Sequence, residues 1–557
     1  MSLPQEFNRA GRRAALERLG QTRLDLLIIG GGITGCGIAR DAALRGWAVG
    51  LVEKEDFAFG TSSRSSKIVH GGVRYLEYGH FLLVRESAQE RAVLRTIAPH
   101  LVHPLPFVYP VFGGESLFNI RAGLTVFDFL AASDGLEKHE NLSPEEVRKQ
   151  LPGLRGPLKG AVRYPEYITD DARLTLENAQ SAAENGAWVV NHARAQDLRM
   201  KDGRVVGCSV VDLLEGRTVA VSTRLIVNAT GAWSSRLLAE SDFDAEFSLI
   251  PSKGIHILLS AERLPIEGAT FLRATNGKRG LAMRRLDFVY VGTTDDEYTG
   301  ALDRPRATRS DVDEVLAMVS DCFPEHELGP DDVLATWAGV RPLIREAGKS
   351  TRDTSREDAV WHSPPGLITV AGGKLTTYRR MALRVLELAD PDLGPAPGMP
   401  GRTAEVLLPG AVVGPAGLEA YHAERSRDFV EAGVAPEIIE RLCWLYGKQL
   451  GDLLALADDD ASWLQPLHPE VPALRGEVLL AVDREMALTL VDFMDRRAAL
   501  LLFSPNFGLA GAEAAADIMA EALGWDADQR GRELTAYREL AAEHTLPPLP
   551  PLSGQFH

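Results

Sequence analysis

The 557-residue chain holds 77 acidic and 60 basic residues, a formal net charge of −17. Such a surplus argues against a nucleic-acid partner and against general attraction to anionic lipid, while leaving room for a local basic pocket. At 45% hydrophobic and 25% charged residues the composition is that of a globular protein of two or three domains, with no apolar run of about 18 residues to span a membrane.

Residues 1–23 read as a short basic helix without the apolar core of a signal peptide. Residues 25–53 (DLLIIGGGITGCGIARDAALRGWAVGLVE) organise the rest of the chain. A short apolar strand, 25–29, runs into Gly30, Gly32 and Gly35, a G-x-G-x-x-G. A helix over 33–45 stops at Gly46, and a second strand, 47–52, ends on Glu53. In this context the glycines permit a tight turn, close approach of a pyrophosphate, and close helix–strand packing. The helix start offers N–H groups and partial positive charge to phosphates, and Glu53 can accept from a ribose. The motif predicts a dinucleotide without saying which. Cys36 falls in the first helical turn, where a thiolate is favoured, but a small residue packed beside the cofactor is the better reading. Cys36, Cys208, Cys322 and Cys443 form no C-x-x-C pair, so neither a disulfide framework nor a metal site is predicted.

Residues 57–72 (FAFGTSSRSSKIVHGG) lack a helical apolar stripe and are dense in hydroxyls. They come directly after the strand ending at Glu53, so Thr61, Ser62, Ser63, Ser65 and Ser66 are placed to bond phosphate and ribityl oxygens. His70 and Arg74 come just beyond. A long helix is predicted over 81–97. Pro104, Pro106 and Pro110 forbid a regular helix after it. Phe118, Leu124, Phe127, Phe129 and Leu130 then suit an amphipathic helix, either core or interfacial. Ser143 and Glu146 form a capping-box pattern. An amphipathic helix follows Asp170, Asp171 and Arg173, and strands are predicted at 188–190, 205–212, 218–221 and 224–228. The last runs into Ala229, Thr230 and Gly231, a turn that brings backbone back to the cofactor. Alternating runs over 250–340 predict an antiparallel sheet covering the active site, with a helical stretch within 304–328. A final strand, 367–370, leads through Gly372, Gly373 and Lys374 to a helix over 376–388, a second anion-ready helix start. Contacts along this whole path, with Leu375 and Thr376 at its end, suit a flavin better than a nicotinamide. Five prolines over 390–410 mark a linker, and 411–545 is helical in pattern.

TSSRSSKIVHGGVRYLE, from Thr61, closely resembles the signature of the FAD-dependent, respiratory glycerol-3-phosphate dehydrogenases. The resemblance recurs in order at DDARL, VNATGAW, KGIHILL, VGTTDDEY, GVRPL, GGKLTTYR and REMALTLVDFMDRR. It implies an α/β fold with a Rossmann-like FAD-binding domain, an antiparallel-sheet substrate domain and an all-α C-terminal domain. The expected divisions are 22–99, 160–250 and 340–390 for FAD, 100–159 and 251–339 for the substrate cap, 391–410 for the linker, and 411–545 for the helical domain. The implied reaction is oxidation of sn-glycerol 3-phosphate to dihydroxyacetone phosphate. The implied phosphate grip is Arg74, Arg341, Arg352 and Lys374, with Tyr75 adding a hydroxyl; arginine forks suit phosphate. Arg352 stands in STRDTSRED, a context that departs from the family pattern, with Arg345 and Arg356 as competitors. For the base His70 is favoured and His256 is second, with Lys253 or Arg341 available to polarise the alkoxide. Thr61 to Ser66 contain no histidine or cysteine for a covalent link, which predicts noncovalent FAD. The resemblance further implies a quinone acceptor, with dioxygen as the alternative, and peripheral association with the inner face of the cell membrane as a homodimer. An amino-acid-oxidase-like activity on the same fold is the rival reading.

Overall fold

The computed structural model describes residues 6–72, 81–114, 116–130, 138–245, 247–345, 358–398 and 401–548. Its first sheet grows from the strand Arg23–Ile29. Val49–Val52 pairs with it in parallel on one side and Thr218–Asn228 on the other. Trp188–Val190 and Leu367–Gly372 extend the parallel order outward, and Asp358–His362 closes one edge antiparallel. The apolar run of the first strand is continuous because both its faces are covered. Leu26 and Ile28 enter one core while Leu27 and Ile29 enter another. The helices Ile33–Leu44, Asp171–Glu184 and Tyr378–Leu393 pack together on the first side, and Arg9–Gln21 covers the second.

The second sheet is centred on Leu249–Ser260, which pairs antiparallel with Ala335–Ile344 along ten residues and with Phe288–Gly292 on its other edge. Its two faces differ. Ile255, Ile257 and Leu259 pack with Val312, Val315 and Val319 of the helix Arg309–Cys322. Leu258, two places from His256 on the other face, joins the core shared with the first sheet. The long strand Val102–Phe112 pairs antiparallel with Leu158–Thr169 straight through its three prolines. Pro104, Pro106 and Pro110 share one parity, so their missing N–H groups all fall on the same edge. Beyond residue 410 the chain is helical from Pro415–Glu431 to Ala527–Glu543, apart from a ribbon of Pro466–His468 with Val471–Leu474.

The α/β fold with its mainly antiparallel second sheet, in which Ala269–Arg273 joins Val102–Phe112 in parallel, and its helical C-terminal part is the one expected. Several local details differ. The strand predicted in two pieces, 218–221 and 224–228, is continuous: Ser222 and Thr223 interrupt its apolar pattern but pair with Arg23 and Leu24. Ala193–Lys201, too polar to read as a strand, forms one with Arg204–Asp212. Leu158–Thr169 and the end of Ala335–Ile344 belong to the second sheet. The helix expected at 376 opens with a 3-10 turn, Leu375–Thr377, and continues through Pro391 to Leu393, into the expected linker. The capping box is present: Ser143 Oγ accepts from the Glu146 N–H, and Glu146 accepts from the Ser143 N–H at 2.7 Å.

Candidate active site

Between the two sheets lies a cavity of about 520 Å³. Its walls are the ends of the parallel strands and the turns beyond them, the place where open α/β sheets bind ligands. Gly30 and Gly32 line it, while Gly35 packs behind. A Cβ on Gly30 (φ 112°) would lie 2.6 Å from the Ala229 carbonyl oxygen, and one on Gly35 only 1.9 Å from that of Gly30. Gly32, at the start of the Ile33–Leu44 helix, provides no side-chain cap, and Ser62 Oγ accepts the Ile33 N–H at 2.9 Å. The helix start therefore opens towards the cavity with Ser62 beside it. Glu53 accepts from the Gly31 N–H at 2.6 Å and the Glu55 N–H at 2.9 Å, which fixes its carboxylate at the rim; burial raises its pKa despite both bonds. Ala229, Thr230, Gly231, Gly373, Lys374 and Leu375 complete the expected lining.

The hydroxyl-rich segment divides its labour. Thr61, Ser62 and Ser65 line the cavity; Ser63 and Ser66 do not. Thr61 Oγ1 donates to the Val340 carbonyl at 2.6 Å. Ser65 donates to Asp171 Oδ2 through both Oγ (2.7 Å) and N–H (3.2 Å). Lys67, almost wholly buried, reaches Asp171 Oδ1 at 2.5 Å and the Ser63 carbonyl at 2.9 Å. Asp171, at the start of the Asp171–Glu184 helix, thus clamps the loop. The pattern of hydroxyls alone predicts cofactor ligands, whereas several of them hold the loop itself. Nothing but the acid pair of DDARL hints at this role.

The second sheet supplies the opposite wall. Arg341 lines the cavity and donates to Thr293 Oγ1 at 3.0 Å, and to Thr294 O and Asp295 Oδ1 at 3.4 Å. Asp295 in turn accepts from Ser252 Oγ at 2.5 Å. His256 lies one step deeper, 2% exposed, stacked on Trp337 with 4.7 Å between ring centres and bonded through Nε2 to Ser66 Oγ at 2.9 Å. Burial first, and then the charges of Arg341 and Lys67, push its pKa down to about 3, so the ring is neutral and weakly basic. Lys253 is not available to the chemistry: it sits on the other face of its strand, paired with Asp311 at 2.6 Å. His70 meets the second helix start through its backbone, its N–H donating to Thr376 Oγ1 at 3.2 Å. Neither His70, His256 nor Thr376 lines the cavity itself. Arg74, Tyr75 and Arg352 lie outside the described residues.

Behind Glu53 the C-terminal helices reach the first domain. Asp56 accepts from Arg496 Nε at 2.8 Å and from Arg497 at 2.7 and 2.9 Å. Arg173 of the DDARL stretch pairs with Glu485 at 2.6 Å. Asp56, His192 and Asp492 lie close enough together to hold a metal ion. The carboxylate oxygens are instead engaged by the two arginines, by Asn191, by His192 and by the Leu488 and Thr489 N–H groups. Burial alone would lower the His192 pKa, but Asp492, 2.9 Å away, raises it. The cluster reads as a balanced ion network.

Residues 25–379 match the family described as FAD dependent oxidoreductase, and residues 401–530 match the C-terminal domain of alpha-glycerophosphate oxidase. The chain is 35% identical to the aerobic glycerol-3-phosphate dehydrogenase of Bacillus subtilis over 97% of its length and 99% of that protein's. The chain belongs to the FAD-dependent glycerol-3-phosphate dehydrogenase family. The family's Mycobacterium leprae glycerol-3-phosphate dehydrogenase is 37% identical, covering 94% of this chain and 89% of that one. The crystal structure of the Bacillus halodurans glycerol-3-phosphate dehydrogenase complexed with FAD, 32% identical, superposes with a TM-score of 0.81 over 99% of this chain and all of that one. The family's cofactor suits the residues present here. The glycine turn, the helix start that Gly32 leaves bare with Ser62 beside it, the fixed Glu53 and the cavity between the sheets together form a cradle for FAD.

Proposed function

We propose that this chain oxidises sn-glycerol 3-phosphate to dihydroxyacetone phosphate with noncovalently bound FAD and passes the electrons to a membrane quinone. The reading is carried by similarity along both the FAD-binding part and the C-terminal helical part. FAD, when bound, supplies the acceptor for the hydride leaving the central carbon of the substrate. The chain's own residues have two tasks. Arg341 and Lys374, at the cavity wall, offer cationic donors to a phosphate, with Arg74, Arg352 and Tyr75 expected to complete the grip. A base must take the hydroxyl proton. His256 is poorly suited, being buried and held near pKa 3, so His70 is the base in this reading.

Support for membrane contact comes from two helices that pack on one another, Phe81–Ile97 and Leu117–Leu130. They expose Leu82 (83%) and Phe118 (78%), and such residues suit the interfacial region of a bilayer. Among the described residues no helix is long and apolar enough to cross a membrane.

The deciding experiment is anaerobic addition of glycerol 3-phosphate to the flavin-loaded protein, then of quinone or dioxygen, with and without lipid vesicles. Bleaching of the flavin by glycerol 3-phosphate, and faster reoxidation by quinone in lipid, are expected. Bleaching by amino acids instead would overturn the substrate, and dioxygen outpacing quinone would make the chain an oxidase. Arg341→Ala should retain flavin and lose affinity for glycerol 3-phosphate; unchanged affinity would remove Arg341 from the phosphate grip.

A further inference from the structure

Gly254 stands opposite Gly339 in the strand pair of the second sheet, on the face that carries Arg341 and His256. A Cβ built at Gly254 would lie 2.4 Å from Arg341 Nη2, 2.6 Å from Nη1 and 2.4 Å from Thr293 Oγ1. These are its three nearest atoms, and all are side-chain ends. The backbone there is extended and gives no conformational reason for glycine, since no left-handed φ occurs at this position. What the missing side chain provides is room. The Arg341 guanidinium lies across the bare strand, which lets it reach Thr293, Thr294 and Asp295 together.

We propose that Gly254 is a positioning residue for phosphate recognition: its missing side chain sets where the Arg341 fork stands at the cavity wall. The inference rests on the reading that Arg341 binds the substrate phosphate, and it goes further in naming what fixes the fork. A methyl group at this position displaces both Arg341 and its Thr293 partner. Bidentate geometry tolerates little displacement, and hydrogen bonds between charged groups lose most when misaligned. Because the crowded atoms can swing away, the variant should fold and bind flavin.

The test is Gly254→Ala, with flavin content, kcat and KM for glycerol 3-phosphate, and inhibition by inorganic phosphate measured together. KM and the phosphate inhibition constant should both rise by roughly ten- to a hundredfold, the span of one or two charge-assisted bonds, with kcat changed far less. Gly254→Ala/Arg341→Lys tests the mechanism, because the slimmer ammonium does not meet the methyl. In the Gly254→Ala background the lysine should cost less than it does in the natural chain. Unchanged KM and phosphate inhibition in Gly254→Ala would overturn the inference and leave the substrate reading intact. Strictly additive losses in the double variant would also overturn it. A natural chain that turned over no glycerol 3-phosphate would overturn both.

Discussion

Replacing Asp171 by asparagine removes the charge that holds the 63–67 loop against the cofactor cavity. Lys67 and Asp171 have side-chain exposures of 4% and 0%, so the ammonium would be left buried beside the Ser63 carbonyl and a neutral amide. Breaking a buried pair from one side costs about 3–5 kcal/mol, because the remaining charge is uncompensated. Ser65 would also exchange a charged acceptor for a weaker one on its hydroxyl and N–H. The cost falls on a loop that lines the cavity, so flavin binding would have to supply its ordering. A rise in the dissociation constant for FAD of roughly a hundredfold or more is expected. Fluorescence titration of the deflavinated protein measures it. Asp171→Asn/Lys67→Met removes both charges and should recover most of the affinity, since loss of a whole buried pair is often nearly neutral. Flavin affinity unchanged in Asp171→Asn, or a double variant no better than the single, would show that the Lys67–Asp171 pair does not hold the loop for FAD.

Glu53→Gln leaves one acceptor oxygen where two N–H groups now converge, and FAD should bind roughly tenfold more weakly in the same titration; equal binding would show that the carboxylate matters little. His256 is held at about 3 in the folded chain, below the ~6.5 of an unfolded histidine. Between those values the unfolded chain binds the extra proton, so stability falls as pH drops through that window and is unaffected above it. His256→Phe retains a flat ring against Trp337 and should flatten this acid loss in a plot of Tm against pH; an unchanged slope would show that other groups set it.

The dinucleotide unit was legible in the sequence because strand, turn and helix succeed one another within thirty residues and each glycine answers to local geometry. The sheet order was not, since Thr218–Asn228 pairs parallel with Arg23–Ile29 on one edge, while its other edge runs antiparallel to Arg204–Asp212 at the start and parallel to Leu367–Gly372 at the end, and local periodicity carries no sign of that. The individual roles of the hydroxyls were equally hidden. Whether Ser65 faces a ligand or Asp171 depends on a helix start 106 positions away. Gly254 looks like an ordinary strand glycine in the sequence; its purpose appears only when Arg341 is laid over it. The motif stretches themselves proved informative about one another, for Arg173 of DDARL meets Glu485 of REMALTL.

The pairing of Asp56 with Arg497 spans 441 positions of chain. A growing polypeptide makes its nucleotide-binding turn long before the arginines that neutralise the carboxylate beside it. Until they arrive, Asp56, which is completely buried in the finished protein, has every reason to stay in water, and the loop after Glu53 cannot settle. Flavin loading should therefore wait for the helices that carry Arg496 and Arg497: a chain cut short before them should emerge colourless even though every glycine of the cradle is present.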